Sequence, residues 1–214
     1  MQPLPLLTRI EDEHCRTLRQ QLKEVSCVFE FVVLAVEPAA VVDEALHRQG
    51  LQHLYLHLLA EYRERWEKLR QDPRYADVVE PQLRWDAGRA VPKLLSQQQV
   101  RQLACENLEQ QDWALYRAFY DPPYGPEFPG GVEQARLVFG QWLQVLGLDP
   151  GEQPQVIDWV GNLELEWLEP EVGPHWLPWS EYFDAGLEWW GVWCLTVWNP
   201  ERRTLSVLAA SATD

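Results

Sequence analysis

Between Arg136 and Arg202 the chain has no lysine or arginine, although eleven acids fall in that interval. A stretch so poor in positive charge repels nucleic-acid phosphates and anionic lipid headgroups, so neither is expected as a partner. Long apolar runs are also missing. The strongest, "CVFEFVVLAV" (27–36), has ten residues and carries Glu30, too short and too charged to span a bilayer. The start, "MQPLPLLTRIEDEHC", lacks a basic segment followed by an apolar one. That pattern is not a signal peptide, and the expected location is cytoplasmic. Cysteine is scarce, at positions 15, 27, 105 and 194. No pair has CxxC spacing, so neither a zinc site nor a redox motif is expected, and the thiols read as reduced and mostly buried.

The 214 residues are 46% hydrophobic and 24% charged, enough for a substantial core and ordinary for a globular chain. The net charge of −15 is uneven. Residues 1–105 hold 15 acids and 14 bases, giving −1, whereas residues 106–214 hold 18 acids and 4 bases, giving −14. Such a half-chain attracts a basic protein or a cation.

Residues 9–24 read as a helix, with Thr8 as its cap and Glu11, Asp12 and Glu13 at the positive end of its dipole. "VSCVFEFVVLAVE" reads as a buried strand ended by Pro38. A short helix over 40–48, stopped by Gly50, precedes a clear amphipathic helix over 51–71 with Leu51, Leu54, Tyr55, Leu58, Tyr62 and Trp66 on one stripe. Residues 72–95 are broken by prolines and read as loop. Helices follow over 97–120, capped by Ser96, and over 132–148. After Asp149 strand signals dominate. "PQVIDWVG" is a candidate strand, "LELEWLE" (163–169) alternates an apolar face with a mostly acidic one, and "EWWGVWCLTVW" and "TLSVLAAS" flank the turn "NPERR". The order predicts one α+β domain over 1–214, helix-rich to 148 and strand-rich after it. N-terminal helices would pack on one face of a mainly antiparallel sheet built largely from the C-terminal third.

Few constellations suggest chemistry. His53, His57 and Glu61 stand at i, i+4 and i+8, a spacing that can hold a metal, but no HExxH accompanies them and no fourth ligand can be named. His14 and Cys15 are adjacent and point about 100° apart on a helix, a poor nucleophile–base pair. No Walker loop, dinucleotide fingerprint or nucleophile elbow is present. No catalytic residue, metal or cofactor is therefore assigned.

Tryptophan is the unusual abundance: eight of twelve lie between 159 and 198. Strand alternation sends Trp190 and Trp198 to one face and Trp189 and Trp193 to the other, so both faces need cover. Indole that stays partly exposed is enriched at binding hot spots. The segment "YFDAGLEWWG" (182–191), with its hairpin and the ending "ASATD", resembles a block in uncharacterised bacterial cytosolic proteins, and "FYDPPYG" (119–125) fits the same pattern. Some similar small acidic proteins are immunity proteins beside bacterial toxins, which implies toxin neutralisation as a role.

Three readings follow. The first is a domain that binds a basic protein, with charge from Glu164, Glu166, Glu169, Glu171 and Glu188 and anchors from Trp167, Trp176 and Trp179. The second is a small-ligand protein or enzyme, with a pocket near 170–190 lined by His175, Tyr182, Asp184 and Trp189. The third is a self-associating structural protein that uses an uncovered sheet face as a dimer interface.

Overall fold

The computed structural model describes residues 6–75, 78–79, 82–104, 115–120, 128–161, 178–184, 186 and 191–211. Six strands form a single antiparallel sheet: β1 (Leu7–Arg9), β2 (Glu30–Val36), β3 (Lys93–Leu94), β4 (Gln155–Asp158), β5 (Val192–Asn199) and β6 (Thr204–Ser211), in the order β1-β2-β6-β5-β4-β3. Among the described residues five α-helices accompany it: α1 (Glu13–Glu24), α2 (Glu44–Leu69), α3 (Gln97–Leu103), α4 (Leu115–Tyr120) and α5 (Gly131–Leu146). The protein is α+β, and three of its six strands come from the C-terminal third. The early strand β2 lies inside the sheet, paired through Glu30↔Ala209 to Ala35↔Thr204 with β6.

Helices cover both faces of the sheet rather than one. On the first face Phe31, Val33, Leu195, Val197 and Leu208 meet α1, α4 and α5 through Leu18, Phe119, Phe139 and Trp142. On the second face Val32, Leu34, Leu205, Val207 and Trp198 meet α2 through Leu46, Leu51, Leu54 and Leu58. Double cover explains why β2, β5 and β6 read as nearly unbroken apolar runs: every residue must be buried, whichever way it points. Trp193 packs on the first face, 6.1 Å from Phe29 ring to ring, and Trp198 on the second. Both faces of the central strands β2, β5 and β6 are thus occupied within the chain.

Several boundaries differ from expectation. Thr8 lies in β1, not at a helix cap. Leu7 is buried against the second face, and α1 starts four residues later than expected, where the Asp12 side chain accepts from the Cys15 amide at 2.8 Å. Gly50 does not stop a helix. α2 runs through it from its Asp43 cap, and the missing side chain lets the helix lie close on β6: a Cβ there would stand 3.0 Å from Leu205 and 3.1 Å from Val207. Ser96 caps α3 as expected, with Gln99 completing a capping box. Of the expected 97–120 helix, α3 ends at its Ala104 cap, 115–120 form α4, and 105–114 lie outside the described residues. The strand expected at 163–169 lies outside the described residues.

Asn199 ties the β5–β6 turn down. Its side-chain oxygen accepts from the Glu201 and Arg202 amides, both at 3.1 Å, and its amide donates to the Gly147 carbonyl at the end of α5 and to Glu152.

Candidate functional site

Polar groups gather on the second face, under α2. In its middle, Thr196 faces the helix from an otherwise apolar stretch of β5. Trp159 Nε1–H donates to Thr196 Oγ1 at 2.9 Å, and that hydroxyl lies 2.7 Å from His47 Nδ1. A threonine hydroxyl has one hydrogen and two lone pairs, so it serves Trp159 and His47 at once. Burial pushes the His47 pKa down to about 4. Trp179 Nε1–H donates to the Trp159 carbonyl at 2.9 Å. Arg48 sits 5.0 Å above the Trp159 ring and donates to the carbonyls of Ala87 and Ala90. This chain is buried and largely satisfied, and it sets the position of α2 rather than offering a site.

A different group stands at the end of the sheet where β2 and β5 begin and β6 ends. Glu30, Ala209 and Cys194 form one row across three strands. Glu30 extends the apolar side of β2 that carries Val32 and Leu34, yet it is a carboxylate. His57, buried on α2, donates from Nε2 to Glu30 Oε2 at 3.2 Å, and its Nδ1 accepts from Arg9 at 3.2 Å. Because arginine has no acceptor, Nδ1 holds the lone pair and Nε2 the proton. Arg9 in turn pairs with Glu11, and Glu11 with Arg19. Tyr182 completes the group from a short 3-10 turn (Glu181–Phe183). Crowding around its phenol raises its pKa above the ordinary tyrosine range, and the charges of Glu30 and Cys194 act in the same direction. Tyr182 belongs to an aromatic cluster with Tyr55, Trp85, Trp179 and Phe183, in which Tyr182 and Phe183 meet edge to face at 5.1 Å and Trp85 and Trp179 at 4.7 Å.

The residues singled out from sequence fare unevenly. Trp179 is buried at 3% exposure, its indole nitrogen spent on Trp159, which commits it to the interior rather than to a partner. Tyr182 is half-buried in the cluster above, and Asp184 is exposed just after it. Glu164, Glu166, Trp167, Glu169, Glu171, His175, Trp176, Glu188 and Trp189 lie outside the described residues. The His53–His57–Glu61 metal spacing is taken apart by its neighbours: Arg9 occupies His57 Nδ1, and Glu61 pairs with Lys23 at 2.8 Å. Among the described residues no group of three or more His, Cys, Asp or Glu could hold a metal. Burial raises the Cys15 thiol to about 11 and the Cys27 thiol to about 12, and raises Cys194 as well. At neutral pH these three are thiols, poor nucleophiles and poor ligands. No described helix is long and apolar enough to cross a membrane.

Glu30 and His57 are the site residues that sequence reasoning missed as a pair. The available signal was a lone charge inside a strand that is otherwise apolar. Comparison with protein families, with curated proteins and with solved structures finds no match for this chain.

Proposed function

We propose that this chain is a non-catalytic, acidic protein-binding domain whose partner is a basic protein, and that neutralising a basic toxin, as an immunity protein does, is the specific form of that role. The supporting observation is how the few cations of residues 106–214 are spent. Arg136 pairs with Glu133, Arg202 with Asp149 and Glu152, and Arg203 donates to the Glu37 carbonyl and lies over Trp198, while Arg117 is also engaged. With each of these four bases engaged within the chain, residues 106–214 still carry eighteen acids against four bases, a net −14. An excess of this kind steers a basic partner and speeds its encounter. The test is capture of partners from the source lysate at low and high salt, followed by direct binding of the purified partner. A basic protein whose affinity falls at least tenfold between about 50 and 300 mM salt supports the reading. Capture of acidic or neutral proteins alone, or an affinity indifferent to salt, rejects it.

A second reading, a small-ligand site or enzyme near Tyr182, draws on one observation: Glu30, His57 and Tyr182 converge from three different elements. A metabolite whose thermal stabilisation of the protein disappears in Tyr182→Leu would favour it.

A further inference from the structure

Glu30 is an expensive residue where it stands. Its neighbours on the same side of β2 are Val32 and Leu34, both fully buried, and its strand partner is Ala209. Its side chain keeps only 32% of its exposure. A carboxylate partly withdrawn from water costs free energy unless its oxygens find donors. One does: Oε2 takes the His57 proton. The other, Oε1, has no hydrogen-bond donor among the described residues. Among the described residues no lysine or arginine pairs with the carboxylate directly. Arg9 reaches it only through the imidazole, and its own charge is shared with Glu11. Arg9 holds the far side of the imidazole, which restrains the carboxylate through Oε2 and leaves Oε1 open to a donor from outside the described residues. At the same end of the sheet the half-buried Tyr182 packs against the cluster that holds Ala209 and Cys194, the residues in Glu30's row. A restrained, half-desolvated carboxylate at the same sheet end as an aromatic ring matches a guanidinium, which can hydrogen-bond in plane and stack on a ring at once.

Resting on the basic-partner reading, we propose that Glu30, positioned by His57 and walled by Tyr182, is the recognition acid that receives an arginine side chain of the partner. His57 acts as a positioning residue and does not contact the arginine. A desolvated, geometrically fixed pair of this kind governs dissociation, whereas acids scattered on the surface govern encounter.

The experiment uses dye-labelled deca-arginine and decalysine as probes, with binding to the whole protein followed by fluorescence anisotropy at low salt. Glu30→Gln keeps the shape and the acceptor for His57 and removes only the charge. Glu201→Gln makes the same charge change at the opposite end of the sheet, on the exposed β5–β6 turn. The expected result is deca-arginine binding at least tenfold weaker in Glu30→Gln and within twofold of wild type in Glu201→Gln. Wild type should prefer arginine over lysine, and Tyr182→Leu should erase that preference. Equal losses in the two glutamine variants overturn the Glu30 proposal while leaving the acidic-domain reading intact. Failure of wild type to bind either peptide rejects the basic-partner reading itself. A melting curve reports whether Glu30→Gln folds. If it does not, Glu30→Asp, which keeps the charge but shortens its reach, carries the test: it supports the proposal by weakening deca-arginine binding more than Glu201→Gln does, and overturns it by matching that control.

Discussion

Thr196 and His47 show how much a single polar contact controls in a buried layer. Thr196→Val preserves volume but removes the hydroxyl that serves both His47 and Trp159. Each orphaned group costs about 1–3 kcal/mol, so the denaturant midpoint should fall markedly with an unchanged slope. His47 also makes the fold sensitive to acid. Its pKa is about 4 in the folded protein against an ordinary 6.5. The unfolded chain therefore takes up a proton first as pH falls. Stability is intact above about pH 6.5 and is lost progressively toward pH 4, by about 3 kcal/mol from this residue alone. Asp158 works in the opposite sense: burial raises its pKa, so protonation relieves the folded state. Thermal melts from pH 7 to 4 should show a falling midpoint in wild type and a flatter profile in His47→Gln. A wild-type midpoint that does not fall over this range contradicts the role given to His47.

At the scale of elements, two helical glycines give opposite predictions. Gly140 in α5 has nothing within 4 Å of a would-be Cβ, so Gly140→Ala should stabilise the protein by up to about 1 kcal/mol through helix propensity. Gly50→Ala earns the same propensity, but its methyl meets Leu205 and Val207 where both are fully buried. Overpacking costs about 1–3 kcal/mol, so the net change should be destabilising. Urea titrations of the two variants check both signs. The same glycine shows where the sequence was legible and where it was not. The leucine stripe over 51–69 announced α2, because helical periodicity is local. Gly50 looked like a stop because its reason for being glycine is β6, more than 150 residues away. The β5–β6 hairpin and the cap at Ser96 were readable for the local reason too, and β1 was hidden because its three residues carry no period of their own. The candidate site was hardest. His57 was visible only as half of a metal spacing, and Glu30 only as a charge in the wrong place, since nothing local says that an imidazole from α2 will meet a carboxylate from β2.

For the whole molecule, a net charge of −15 has its own cost. Like charges repel more in the compact state than in the expanded one, and salt screens them. The melting temperature at neutral pH should therefore rise as sodium chloride increases from about 10 to 150 mM, a range over which the screening length falls from about 30 to 8 Å. A melting temperature that stays level would mean that the internal ion pairs already balance the repulsion. The sheet order carries a further consequence, for synthesis. β2 is apolar on both sides, and its long partner is β6, the last strand of the sheet to leave the ribosome. From the moment residues 30–36 emerge until residue 211 is made, that strand has no permanent neighbour except the three residues of β1. A nascent chain in this condition exposes a sticky, pairing-competent edge while residues 37–203 are being made. Closure then requires a loop of about 170 residues, which slows folding. A growing chain of this design depends on company: a chaperone that shields β2, or a translation rate fast enough to deliver β6 before neighbouring chains find the same edge.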